Sequence, residues 1–99
     1  MVQFEWDPAK ARLNRRKHGL EFEDAILVFD DPDALFSHDR MDETGELRWH
    51  AIGMIAGMSI VLVVHTVREE PDVIRLISAR RASRQERSRY EQNRAKNFS

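Results

Sequence analysis

The stretch SIVLVVHTVREEPDVIRLISARRAS, residues 59–83, decides the fold. Ile60 to Val64 is an unbroken apolar run with four β-branched side chains, and Val73 to Ala79 is interrupted only by Arg75 and Ser78. Runs of this length and branching predict strands covered on both faces. Between them Arg68-Glu69-Glu70-Pro71-Asp72 is a polar breaker, and its proline cannot donate to a central ladder. The stretch therefore predicts an antiparallel hairpin at the middle of a sheet. Its second strand exits through Ser78-Ala79-Arg80-Arg81, and Ser83-Arg84-Gln85-Glu86 has the capping-box form of a helix start. Strict alternation sets Arg80 on one face with Ile74, Leu76 and Ser78, and Arg81 on the other with Val73, Arg75 and Ile77. Two arginines carried on a strand are held rigidly, as an anion site requires.

Working outward, the remaining segments supply the edges and the cover. Val2, Phe4 and Trp6 alternate with Gln3 and Glu5 in a short strand with one apolar face. Asp7-Pro8 opens a helix, since Asp is a preferred N-cap and proline at the first helical position loses no needed N–H. Gly19 closes it, giving a helix over 8–18. Phe22, Ala25, Ile26 and Phe29 follow helical spacing and predict a second, short amphipathic helix. Asp30-Asp31-Pro32-Asp33 stops it, and ordinary termination accounts for this cluster better than a Mg²⁺ site does. Residues 34–37 form a short strand near an edge, residues 39–46 a polar loop, and residues 47–55 the next strand. Ala56-Gly57 is a tight turn into the hairpin. From Ser83 the helix has almost no apolar stripe. Tyr90 is its one large apolar side chain before Phe98, so it is either a solvated appendage or a surface completed by a partner. The reading is one domain over 1–90 with a frayed tail over 91–99.

Composition narrows the chemistry. The chain has 99 residues and no cysteine, which excludes disulfides and Cys-based zinc sites and suits a reducing cytosol. No apolar run reaches the roughly 18 residues of a membrane span, and the charged N-terminus does not read as a signal peptide, so a cytoplasmic protein is expected. His18, His38, His50 and His65 lack any tight ligand spacing, so neither metal nor cofactor is expected. The net charge of -1 conceals an asymmetry: residues 19–47 hold ten acids against one arginine, and residues 75–99 hold eight cations against two acids. The first helix adds five cations. Two basic segments that converge in space would make a nucleic-acid surface; the alternative is that basic and acidic segments neutralise each other in the fold.

On the first helix, Lys10, Asn14, Lys17 and His18 fall on one ridge. Spacing alone favours a solvated face in which Lys17 and His18 complement the helix dipole. The functional reading is a ridge that holds a phosphate and moves a proton.

At this point the residues resemble a known family. Phe4-Glu5-Trp6-Asp7-Pro8-x-Lys10, Asn14 and Lys17-His18-Gly19 resemble the N-terminal signature of the BrnT toxins. Phe22-Glu23-x-Ala25 and Val28-Phe29-Asp30-Asp31-Pro32 are similar to its second segment. Arg48 with Ile52-Gly53, then Leu62-Val63-Val64, then Arg75-Leu76-Ile77-Ser78-Ala79-Arg80-x-Ala82 are similar to the rest. The resemblance runs from about Phe4 to Tyr90. It implies an α+β, RelE-like small domain: a mostly antiparallel sheet, two N-terminal helices and a polar C-terminal helix. It also implies an endoribonuclease toxin that inhibits translation. The partner would be a BrnA-like ribbon-helix-helix antitoxin, in a hetero-oligomer with two copies of each chain that reaches operator DNA through the antitoxin.

RNA cleavage without metal needs a base for the 2′-OH proton, an acid for the leaving 5′-oxygen, and cations facing the phosphorane charge. His18 is the expected proton carrier, and Lys10, Arg48 and Arg80 are the cations at family positions. Arg48 and Arg80 are the expected phosphate clamps, because guanidinium meets phosphate bidentately. Lys17, Asn14, Arg75, Arg81 and His65 are expected RNA contacts, although His65 is better explained as a satisfied histidine at a strand end. A competing reading is a RelE-fold binding subunit without RNase activity, which would serve antitoxin binding and repression. A stand-alone nucleic-acid-binding domain is a third.

Overall fold

A computed structural model of the chain describes residues 2–41, 43–68 and 72–97, apart from the side chains of residues 39 and 40. Strand β1 is Gln3–Glu5, helix α1 Pro8–His18, helix α2 Phe22–Ala25, and a 3-10 turn covers Ile26–Asp30. Strands β2 (Leu35–Met41), β3 (Leu47–Ile55), β4 (Ser59–Arg68) and β5 (Val73–Arg81) follow, then helix α3, Arg84–Asn97. The chain is thus α+β, with one five-stranded sheet in the order β1-β5-β4-β3-β2. All neighbours are antiparallel except β1 and β5, which run parallel. The β4–β5 hairpin is where the apolar runs put it. Its Glu69-Glu70-Pro71 breaker lies outside the described residues.

One face of the sheet carries the main core. Phe22, Ala25 and Val28 pack there on Ala51, Ile55, Val61, Val63, Leu76 and Ala79, all buried. The expected helix over residues 22–29 is instead a single α-turn continued by the 3-10 turn. The period of three explains the difference: Phe22, Ala25 and Val28 share one face and are completely buried, whereas Ile26 and Phe29 are partly buried. Gly53 permits this packing. A Cβ there would stand 2.8 Å from Val28 Cγ1 and 3.2 Å from the Val28 carbonyl. Strand β2 is longer than its apolar residues suggested and pairs from Leu35↔Ile52 to Met41↔Leu47, with an irregularity between His38 and Met41.

The other face is only partly covered. Tyr90, 1% exposed, lies with Ile52 and Leu62 and is flanked by Leu35, Met54, Ile60, Val64 and Ala82. Its hydroxyl donates to Asp31 Oδ2 at 2.6 Å, and the Met54 N–H donates to the same oxygen at 2.8 Å. Burial pushes the Tyr90 hydroxyl upward, reinforced by the Asp31 charge. Burial also raises Asp31, but the bonds from Tyr90, Met54 and the Asp33 N–H outweigh it and hold that carboxyl below its ordinary value. Asn93 donates to the Asp33 carbonyl (3.1 Å) and Asn97 to Asp33 Oδ1 (2.9 Å). The polar helix is therefore docked on its own sheet by one tyrosine, and the aspartates that end the 3-10 turn are the receptors for α3. Neither the appendage nor the partner-completed surface describes its inner side.

Candidate active site

Helix α1 starts as its sequence dictates: Asp7 accepts from the Ala9 N–H at 2.8 Å and Pro8 occupies the first helical position. It ends at Gly19, whose φ of 71° lets its N–H return to the Arg15 carbonyl at 2.8 Å. Strand β1 pairs with β5 only at Val73, Ile74 and Arg75. Beyond that point the free edge of β5 is met by α1. There Asn14, 5% exposed, accepts from the Ala79 N–H at 2.9 Å and donates to the Leu20 carbonyl at 3.1 Å. One buried amide thus replaces a missing strand and fixes the rotation of α1. Both ends of that amide bond to the chain's own backbone, so Asn14 holds the ridge in place.

The ridge of Lys10, Leu13, Asn14, Lys17 and His18 then forms one wall of a cleft of about 280 Å³. Arg48 from β3 and Ile77 and Ser78 from β5 form the rest. Both β5 residues reach the cleft because the strand is bulged: Val64 registers with Ser78 and His65 with Leu76, leaving Ile77 without a partner in β4. The bulge also overturns the strict alternation expected from the sequence. Leu76 and Ala79 both enter the main core, while Ser78 and Arg80 register with Val64 and Leu62 of the α3-covered face. Lys10 and Lys17 are exposed, and His18, Arg48, Ile77 and Ser78 are half-buried. Among the described residues no acidic side chain lines the cleft. Three cations and an imidazole facing one opening favour an anion there.

Other expected site residues lie elsewhere. Arg80 sits two positions beyond Ser78 but lines no part of the cleft. Its guanidinium grips Glu86 with two bonds of 2.8 and 3.0 Å. Glu86 also accepts from the Ser83 N–H (2.8 Å), and Ser83 Oγ accepts from the Glu86 N–H (3.2 Å), completing the capping box. The Arg80 bonds, strengthened by the cap, hold the Glu86 carboxyl down to about 2 and push Arg80 upward. Arg75 is bound to Glu5 at 2.8 Å, and Arg68 lies 3.6 Å from the same carboxylate. Arg81 is exposed at the end of β5, in register with Val61 of the main-core face. His65 is 2% exposed, edge-on to Phe29 at 4.9 Å, with Nδ1 3.3 Å from the Val63 carbonyl. Burial drives its pKa down. It is a core histidine and is not among the residues that line the cleft.

Sequence reasoning named Lys10, Asn14, Lys17, His18 and Arg48. It did not name Leu13, Ile77 or Ser78. Leu13 was recoverable, since it occupies the i+3 position of the same ridge; Ile77 and Ser78 depend on a bulge that pairing alone reveals. Among the described residues no three His, Asp or Glu side chains gather as a metal centre. Nor is any described helix long and apolar enough to cross a membrane.

A family model described as "Ribonuclease toxin, BrnT, of type II toxin-antitoxin system" matches residues 6–86. The solved structure of the Brucella abortus ribonuclease toxin BrnT is similar, with a TM-score of 0.68 and 30% sequence identity. The match covers 85% of this chain and 100% of the Brucella chain. No curated protein matches the chain.

Proposed function

The chain belongs to the BrnT family of ribonuclease toxins of type II toxin-antitoxin systems, and from that premise we propose that it is a metal-independent endoribonuclease working from the α1–β5 cleft. The observation that carries the reading is the meeting of Lys10, Lys17 and His18 with Arg48, from distant parts of the chain, in one opening. In the reaction the 2′-oxygen of a ribose attacks the adjoining phosphorus, losing its proton as the P–O5′ bond breaks. The products are a 2′,3′-cyclic phosphate and a protonated 5′-hydroxyl. The half-buried imidazole of His18 lines the opening and is the group that takes up or delivers a proton in this step. Arg48, anchored on a central strand, presents a fork to two phosphate oxygens, and Lys10 adds charge from the helix. Lys17 holds a neighbouring phosphate. Arg80 is assigned to the start of α3 rather than to the phosphate.

Cleavage of RNA would inhibit translation, and a BrnA-like ribbon-helix-helix antitoxin would neutralise the toxin in an assembly with two copies of each chain. Inducing this chain alone in bacteria tests the reading. Growth arrest with fragmented RNA is expected from the wild type, with relief in His18→Ala and Arg48→Ala and on co-expression of the antitoxin. A wild type that accumulates folded and soluble, without arrest, would instead make the chain a binding subunit.

A further inference from the structure

The cleft is not uniformly polar. Leu13 is 58% exposed and stands on the same ridge as Lys10 and Lys17, while Ile77 is pushed into the opening by the β5 bulge. An exposed leucine on a helix that otherwise presents cations to solvent does nothing for the core. Opposite it, the bulge costs β5 a ladder partner to bring a second apolar side chain forward. Cations beside a two-sided apolar wall suit a ligand that is anionic at one end and flat and apolar at the other. A nucleotide is such a ligand, and about 280 Å³ is room on the scale of one nucleotide rather than of a helical stack. A paired base in a duplex has both faces occupied by its neighbours and cannot offer one to a protein wall.

We infer that Leu13 and Ile77 form a base-binding wall, so that the cleft takes one unstacked base of single-stranded RNA and Leu13 is a specificity-determining residue. The inference rests on the nuclease reading for its ligand class and adds the contact that selects among RNAs. Phosphates are held by Lys10, Lys17 and Arg48; the base is held by apolar contact, which every base can make, so strandedness is selected more strongly than sequence.

The test is binding, kept separate from cleavage. A fluorescent single strand of 2′-O-methyl RNA, which lacks the attacking 2′-hydroxyl, is titrated with wild type, Leu13→Ser, Leu13→Phe and Lys17→Ala at several salt concentrations. Leu13→Ser should weaken binding about three- to tenfold without changing the salt slope, and Leu13→Phe should bind at least as tightly as wild type. Lys17→Ala should lower the slope by about 0.7. The paired duplex of the same sequence should bind the wild type about tenfold more weakly than the single strand. The exposure of Leu13 makes misfolding of these variants an inadequate explanation of any loss. Unchanged binding by Leu13→Ser, equal binding of duplex, a Leu13 effect on the salt slope, or no binding by wild type would each overturn the inference. Cleavage of natural RNA by wild type in the same buffer reports independently on the nuclease reading.

Discussion

Buried and half-buried polar groups set this molecule's limits. Asn14 satisfies the Ala79 N–H and the Leu20 carbonyl at once. Asn14→Ala strands both in a buried place, where an unmet group costs about 1–3 kcal/mol. With two groups stranded, urea denaturation should show a loss of about 2–6 kcal/mol, with cleavage impaired because the ridge is no longer held against β5. His65 and Glu86 set the acid limit. The folded-state pKa of His65 lies below 6.5, so the unfolded chain binds the proton first and stability falls as pH drops from 6.5 towards that lowered value. Glu86 goes from 4.5 unfolded to about 2 folded, so its contribution is complete above 4.5 and is lost between 4.5 and about 2. Acid unfolding should therefore have two ranges. His65→Leu should flatten the upper range, and Glu86→Gln should flatten the lower in part, the remainder belonging to Asp31, whose carboxyl is also held below its ordinary value. The histidines also mark what a sequence conceals. His18 at a helix end was legible as a candidate, but the burial of His65 depends on Phe29 and Phe36, which arrive from separate elements.

At the scale of elements, α3 hangs on Tyr90. Removing its hydroxyl in Tyr90→Phe keeps the ring but leaves Asp31 short of a 2.6 Å bond. A loss of about 1.5–3 kcal/mol is expected, since the acceptor is charged, and amide exchange should rise in α3 before the sheet. The hairpin, the capped first helix and the Ala56-Gly57 turn were legible because local chemistry fixes each: β-branched runs, an Asp-Pro start, a glycine stop. The bulge at Ile77 and the 3-10 turn were not. Both are settled by packing, one by α1 taking over the β5 edge, the other by the bare Cα of Gly53 receiving Val28. Arg80 shows the same limit. Its capping-box neighbour Glu86 was in view, but only the fold brings that carboxylate onto the guanidinium.

For the whole molecule, the decisive feature is a sheet that carries the main core on one face and is only partly covered on the other. The main core occupies the first face, Tyr90 and α3 a portion of the second, and the remainder becomes the cleft under α1. The near-zero net charge hides this, because the acids of residues 19–47 whose side chains are described lie in α2, the 3-10 turn and the connections, outside the cleft lining. The most direct test of the central claim is cleavage of RNA by the purified chain in excess chelator, with His18→Ala and Arg48→Ala beside it. The account predicts 2′,3′-cyclic phosphate ends from wild type, with rates down about 10²–10⁴-fold for His18→Ala and about 10²–10³-fold for Arg48→Ala. Both side chains are half-buried, so each variant should lose about 0.5–2 kcal/mol in urea denaturation and stay folded under the assay conditions. Intact RNA from a folded wild type, or full activity in either variant, would contradict it.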